Sequence, residues 1–316
     1  MAKKHVLWTE KYRPDNIEDL VLTPKVKSLL NSYITQDLIP NVIFQGPPGT
    51  GKTTAAIALC KQLGASYMII NGSMYGNIDT LRTDIKDFCS SIALNGKRKY
   101  VILDEADYLN PTSTMPALRN FIEEFSSNAG FIMTLNYPQK LIEPLHSRMA
   151  VVDFDFMKEG TTEKIKLFAG IINRTKAILK AEDVTCDSNL LEKLVVNRFK
   201  FDIRKLLNHL QTHVENGKVT AEVASTTSDY YNPLFKLVFD KKFHEARKWI
   251  GTYTVDYEIF TELNRYIEKL HDNGKLTSEQ LLLITITISK YDYNHAFVMD
   301  KELNISALFA EVILAL

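Results

Sequence analysis

This chain is poor in cysteine, shows no excess of either charge and has no long hydrophobic run. Its 316 residues include three cysteines, Cys60, Cys89 and Cys186. They lie far apart and form no C-x-x-C pair, which argues against a zinc module and a disulfide framework and for a reducing compartment. Lys plus Arg equals Asp plus Glu, at 38 each. A generally cationic nucleic-acid coat is therefore excluded, and any DNA contact has to come from a local patch. Met1-Ala2-Lys3-Lys4-His5 is not followed by a long apolar segment, so no signal peptide is expected. The longest apolar stretches, such as Leu281 to Ile288, are too short and too rich in threonine to span a bilayer. There is no repeat and no low-complexity segment. The composition, 45% apolar and 24% charged, is that of an ordinary soluble globular protein, long enough for roughly two or three domains.

Against that background one stretch stands out. Gly46-Pro47-Pro48-Gly49-Thr50-Gly51-Lys52-Thr53 follows the apolar run Val42-Ile43-Phe44 and opens a helical pattern through Ala55, Ile57, Ala58 and Leu59. This is G-x-x-x-x-G-K-[ST] in its strand–loop–helix context. The glycines let backbone amides curl around a phosphate chain, and the following helix start adds its partial positive charge. Lys52 can reach the β- and γ-phosphates, and Thr53 can hold Mg²⁺. A second apolar run, Tyr100 to Leu103, ends in Asp104-Glu105-Ala106-Asp107. A carboxylate at the C-terminal end of a buried parallel strand lands in the crevice where α/β sheets bind ligands. Asp104 then serves Mg²⁺ and Glu105 polarises the attacking water. Together the two motifs specify an NTPase with Mg²⁺.

Strands are expected over Asn41–Gln45, Ser66–Asn71, Tyr100–Asp104, Gly130–Leu135 and Ala150–Phe154, with helices between them including Thr53–Leu63, Asp79–Ala93 and Thr114–Phe125. Short apolar strands with crossover helices imply a parallel five-stranded sheet with flanking helices. From about 157 to 225 the strand signal stops, and Thr161–Arg174, Asp187–Asn197 and Ile203–Val214 read as three helices. Gly217 and the Ser/Thr run at 225–228 mark a boundary. The remainder is helical, and its last turns set Ile305, Leu308, Phe309, Val312 and Ile313 on one face. The expected division is 1–156 nucleotide-binding domain, 157–227 helical lid and 228–316 helical collar.

Further signals narrow the class. Asn136 ends the fourth strand, where an amide can orient the lytic water. Arg148, in Leu145-His146-Ser147-Arg148, precedes the last strand and can act as an arginine finger. Arg204, in Asp202-Ile203-Arg204, opens a helix from which it can sense a γ-phosphate. Trp8-Thr9-Glu10-Lys11-Tyr12-Arg13-Pro14 supplies an aromatic and a fixed-φ proline suited to a base pocket.

With these residues the chain resembles an AAA+ ATPase subunit of a DNA sliding-clamp loader. It matches that family's E-K-Y-R-P box, Walker A, D-E-A-D Walker B, sensor 1, S-R-C box and sensor 2, strongly over residues 7–210 and weakly over the last ninety. Met149 stands where the family has the Cys of S-R-C. Asn71-Gly72-Ser73, Ile78-Asp79 and Asn136-Tyr137 resemble most the large subunit of T-even-type phage clamp loaders, with small replication-factor-C subunits a close second.

The resemblance implies an α/β AAA+ module, a three-helix lid and an all-α collar. It implies a pentamer of identical subunits with a divergent small subunit, with ATP between neighbours. ATP binding would open the sliding clamp and grip primer–template DNA, hydrolysis would release the closed clamp, and the setting would be the cytoplasm, that of the host if the source is a phage. Carried over residue by residue, Glu10, Lys11, Tyr12, Arg13, Pro14 and Val21 line the adenine side. Gly46 and Gly49 through Thr54 (Thr50, Gly51, Lys52, Thr53) wrap the phosphates. Thr53 and Asp104 serve Mg²⁺. Glu105 activates water, Asn136 is sensor 1, Arg204 is sensor 2 and Arg148 acts on the adjacent subunit's ATP. Arg82 and Lys86, on a helix capped by Asn77 with Leu81, Ile85 and Phe88 on its core side, would touch template phosphates without reading sequence. Met74, Tyr75, Phe88 or Leu109 could serve the clamp contact. The competing classes are another AAA+ DNA remodeller (a helicase loader or branch-migration motor) and an ATP-binding scaffold that does not hydrolyse. A DEAD-box helicase is excluded, since residues 157–316 lack the strands of a second such domain.

Overall fold

The computed structural model describes residues 7–74, 78–91, 96–215, 217–219, 227–252, 258–295 and 297–316. The chain forms two compact units, Met1–Thr220 and Ala221–Leu316.

The first unit is built on five parallel strands, β1 (Val42–Gln45), β2 (Tyr67–Asn71), β3 (Lys99–Asp104), β4 (Ala129–Leu135) and β5 (Ala150–Asp153), in the order β2-β3-β4-β1-β5. This is the sheet the sequence specifies. β4 is buried along its whole length, and β3 is buried up to Asp104. That is why both read as unbroken apolar runs instead of alternating ones. The preceding and intervening helices of this half are α1 (Trp8–Lys11), α2 (Pro24–Thr35), α3 (Lys52–Gln62), α4 (Ile78–Ser90), α5 (Thr114–Glu124) and α6 (Glu143–His146).

Strand pleating separates two faces. Val101 and Leu103 of β3 and Phe131, Met133 and Leu135 of β4 pack with Ile85 of α4, Met115, Leu118 and Ile122 of α5, and Leu145 of α6. Their neighbours in sequence, Ile102 and Asp104 of β3 and Ile132 and Thr134 of β4, point to the opposite face, where α3 contacts both strands. α3 is buried through Ala55, Ala56, Ala58, Leu59 and Cys60. Burial pushes the Cys60 thiol up to about 12, and all three cysteines are free. Each fully buried large side chain contributes about 1.5–3 kcal/mol of transfer free energy.

Beyond the sheet come α7 (Thr161–Ala181), α8 (Ser188–Lys193) and α9 (Ile203–Thr212). Here the structure corrects the sequence reading. α7 runs past Arg174, because Ile171, Thr175, Ile178 and Leu179 continue its buried stripe. α8 ends early and passes into a π-helical segment, Leu194–Phe199. The expected strand-free region contains a short antiparallel ribbon, β6 (Val214–Glu215) with β7 (Lys218–Val219), turned by Gly217 at φ +74°. Two-residue strands carry too little pattern to be seen in a sequence. Asp202 caps α9, its carboxylate accepting from the Lys205 N–H at 2.9 Å.

The second unit contains α10 (Thr227–Phe239), α11 (Phe243–Thr252), α12 (Glu258–Asp272), α13 (Ser278–His295) and α14 (Lys301–Ala315). Ile305, Leu308, Phe309 and Val312 of α14 are buried among Phe235, Ile259, Leu263 and Ile284, with Ile313 packed against the same cluster. The apolar face read at the chain's end is thus core. No helix among the described residues is long and apolar enough to cross a membrane.

Leu308 is fully buried while Leu314 is 85% exposed. Leu308→Ala should lower the unfolding free energy of this unit by ~2–5 kcal/mol, and Leu314→Ala should leave it within about 0.5 kcal/mol. Denaturant melts followed by circular dichroism check both.

Candidate active site at the carboxyl edge of the sheet

β1 delivers the chain into the loop 46–51. The loop's glycines carry the conformation: Gly46, Gly49 and Gly51 have φ of +143°, +76° and +95°, a region that disfavours a side chain. At Gly49 the constraint is also steric, since a Cβ would fall on the Asp202 carboxylate. The Ile203 N–H donates to the Gly49 carbonyl at 3.2 Å, so the loop is tied to the start of α9. The Thr50 hydroxyl donates to the Pro47 carbonyl at 2.9 Å.

Lys52 is the first residue of α3, and its ammonium is buried. It donates to the carbonyls of Gly46 and Pro47, each at 2.7 Å, and to Asn136 Oδ1 at 2.9 Å. Burial depresses its pKa to about 8, against the opposing pull of Asp104 and Asp107. Asn136 is held in turn by its N–H, which donates to Asp107 Oδ1 at 3.4 Å.

One residue along α3, the Thr53 hydroxyl donates to Asp104 Oδ1 at 2.5 Å. A threonine oxygen beside a carboxylate is a hard oxygen donor set of the kind Mg²⁺ takes, with water and phosphate oxygens completing the shell. Among the described residues no group of three or more His, Cys, Asp or Glu side chains could hold a metal, and an ion supported this sparsely depends on its nucleotide. Glu105 follows Asp104 in the left-handed region, at φ +54°.

These residues line one cavity. Its walls include Glu10, Tyr12, Arg13, Pro14 and Val21 on one side, and Gly49, Gly51, Lys52, Thr53, Thr54, Asp104, Glu105, Asn136 and Arg204 on the other. Gly46, Thr50 and Lys11 do not line it. Gly46 and Thr50 shape the loop from behind. The Lys11 ammonium turns away to Glu182 at 2.6 Å, and the Tyr12 hydroxyl donates to the same oxygen at 2.6 Å. Those bonds hold the Glu182 carboxyl below its ordinary range, Lys11 contributing most.

Sequence reading missed Thr134 and Arg174, which also line the cavity. The Thr134 hydroxyl donates to Asp104 Oδ1 at 2.6 Å. Arg174, on α7, donates to the carbonyls of Tyr12 and Asp19 at 2.8 and 2.7 Å, fastening the segment that frames the cavity. Nothing in the sequence around Arg174 signals this. Thr134 was visible as a polar residue near the end of an apolar strand.

A model of the ATPase family associated with various cellular activities (AAA) matches residues 42–154. The replication factor C small subunit of Saccharolobus solfataricus is 30% identical over 325 residues, spanning 98% of this chain and 94% of that protein. The sliding-clamp-loader large subunit of Escherichia phage RB69 is 32% identical over 276 residues, 86% of this chain and 84% of its own. Its counterpart from Enterobacteria phage T4 is 29% identical over 315 residues, 98% and 96%. The chain belongs to the clamp-loader ATPase family. The Holliday junction branch migration motor RuvB of Thermotoga maritima aligns with a TM-score of 0.52 at 17% identity, over 84% of this chain and 92% of that one, and shares the fold.

In this clamp-loader subunit Arg148 stands apart from the cavity. Its side chain is 33% exposed and bonds Glu123 at 2.7 Å and the Pro144 carbonyl at 2.9 Å. Met149 beside it is buried in the core against α5 and α6, which accounts for a large apolar residue at the departure from S-R-C. Arg82 and Lys86 are exposed on α4 while Ile85 is buried. Asn77 and Tyr75 lie outside the described residues, as does the Leu81 side chain. Of the clamp-contact candidates, Leu109 is 4% exposed and packs in the core with Phe88 against it, whereas Met74 is 80% exposed. Leu109 is therefore a core residue and not the surface contact expected from the sequence.

The Lys52 pKa gives a pH dependence with a definite sign. A triphosphate favours charged Lys52, but the free protein loses that proton near pH 8. Nucleotide affinity should therefore fall as pH rises through 8, by up to about tenfold per unit. Titrating a fluorescent ATP analogue between pH 7 and 9.5 checks this, and constant affinity contradicts it.

Proposed function

We propose that this subunit binds ATP with Mg²⁺ in the cavity at the sheet edge and hydrolyses it only within a ring, where the next subunit supplies Arg148. Residues 1–156 form the nucleotide-binding domain, 157–227 the lid and 228–316 the collar through which copies assemble, with a divergent small subunit completing a pentamer. The partners are a sliding clamp and primer–template DNA, and both stimulate turnover. The setting is the cytoplasm of the cell in which replication runs.

Each role is assigned to a side chain described above. The loop amides of 46–51 and Lys52 receive the phosphates, Lys52 exchanging its carbonyl partners for phosphate oxygens. Thr53 and Asp104 hold Mg²⁺, which when bound neutralises charge on the β- and γ-phosphates. Glu105 accepts the proton of the attacking water. Asn136 orients that water, and Arg204, at the start of α9, reports the γ-phosphate to the lid. Tyr12, Pro14 and Val21 enclose the base. Arg82 and Lys86 contact phosphates of the DNA, and Met74 is the candidate toward the clamp.

The observation that carries the reading is the position of Arg148: exposed, braced by Glu123, and absent from the cavity of its own chain. A guanidinium that serves its own nucleotide would line that cavity with Arg204. In comparable NTPases the finger contributes about 10³–10⁵ in rate.

Arg148→Ala should leave ATP binding within about twofold of wild type and remove DNA- and clamp-stimulated turnover. In rings mixed with Glu105→Gln subunits, activity should depend on which neighbour carries the arginine. Full turnover by an Arg148→Ala monomer refutes the scheme.

Arg82→Ala combined with Lys86→Ala should weaken DNA stimulation and flatten its dependence on salt, as expected when phosphate contacts are lost. An unchanged salt slope removes α4 from the DNA interface.

A further inference from the structure

We propose that Thr134 is a positioning residue for ATP hydrolysis, one hydroxyl setting both the Asp104 carboxylate and the Glu105 backbone. This rests on the roles given above to Asp104 and Glu105.

Thr134 lies on β4, in register with Phe44 of β1, and is 2% exposed. The pleat turns it to the face shared with α3. Its hydroxyl donates to Asp104 Oδ1 at 2.6 Å and accepts the Glu105 N–H at 3.1 Å. Only a group that both donates and accepts can fill this place, and a hydroxyl is the smallest that does. Asp104 Oδ1 also accepts from Thr53 at 2.5 Å. The carboxylate is thus pinned between a hydroxyl from α3 and one from β4.

The bond to Glu105 has a separate consequence. Glu105 holds φ +54°, a conformation sparsely populated by residues with a side chain, and one that persists only where the surroundings over-determine it. Thr134 fixes its N–H. The Tyr108 N–H donates to its carbonyl at 3.0 Å. Gly72 makes room on the same side, since a Cβ there would stand 2.5 Å from the Glu105 oxygen. With both peptide groups held, the Glu105 side chain is delivered to the cavity wall. An ordinary strand threonine needs one backbone partner for its hydroxyl. This one joins the metal-site carboxylate to the residue that activates water.

Thr134→Val keeps the branched shape and the burial but can neither donate nor accept. Thr134→Ser keeps the hydroxyl and loses a methyl. The full chain, assembled with the subunits it copurifies with, is compared with both variants for kcat and KM toward ATP, for ATP-analogue affinity in EDTA and in Mg²⁺, and for melting temperature. Outer-sphere partners of metal ligands are worth roughly 10–100-fold when removed. In Thr134→Val the expected kcat falls by about that factor, and affinity in EDTA stays within about twofold. The gain in affinity on adding Mg²⁺ shrinks. Thr134→Ser recovers most of the kcat. The proposal is overturned by a Thr134→Val protein with wild-type kcat, by a Thr134→Ser protein as slow as Thr134→Val, or by loss of EDTA affinity in step with melting temperature. If Thr134→Val does not fold, Thr134→Ala against Thr134→Ser gives the same comparison. Abolished turnover in Glu105→Gln tests the underlying assignment on its own.

Discussion

The Lys52 ammonium is the contact on which the proposed active site depends. Buried at the start of α3, it binds the carbonyls of Gly46 and Pro47 and the side chain of Asn136. It therefore connects the glycine-rich loop 46–51 to the end of β4. Taking an ammonium out of water is costly, and the fall of its pKa to about 8 measures that strain. A triphosphate offers it formal negative charge in place of neutral carbonyls. In the proposed function, binding energy is thereby directed to the point where the loop, the sheet and Asn136 meet.

The fold makes this meeting possible by strand order. Placing β1 between β4 and β5, with β3 on the far side of β4, brings the carboxyl ends of three strands around one helix start. β1 supplies the loop, β3 supplies Asp104 and Glu105, and β4 supplies Thr134 and Asn136. The same arrangement ties the site to the helices that follow. Gly49 packs against Asp202 so closely that no side chain fits, and Arg174 holds the segment around Tyr12. The loop is thus in direct contact with the start of α9, while α7 touches the cavity through Arg174 and the Tyr12 segment.

What was legible in the sequence was whatever depended on local pattern. Five apolar runs bounded by turn residues marked the strands, and the glycine-rich stretch marked the loop between strand and helix, because backbone conformation there demands glycine whatever the context. The place of Asp104 was legible as the carboxylate that ends a buried strand, and it lines the cavity. The residues that escaped are those whose role is set by distant neighbours. Arg174 acts 162 residues away on Tyr12. Lys11 was expected at the base and instead pairs with Glu182, 171 residues on. Leu109 was a candidate for a surface contact and is core, buried in one cluster with Ala106, Met115 and Leu118. The π-helical segment and the two-residue ribbon escaped because each is shorter than the window in which periodicity has meaning.

The most direct measurement is a structure of the assembled protein with Mg²⁺ and a non-hydrolysable ATP analogue. The account predicts that Lys52 Nζ leaves the Gly46 and Pro47 carbonyls for phosphate oxygens and keeps Asn136, with Arg148 of the adjoining subunit at the γ-phosphate. A triphosphate bound while Lys52 remains on those two carbonyls, or an Arg148 still paired with Glu123 and remote from every nucleotide, would contradict it.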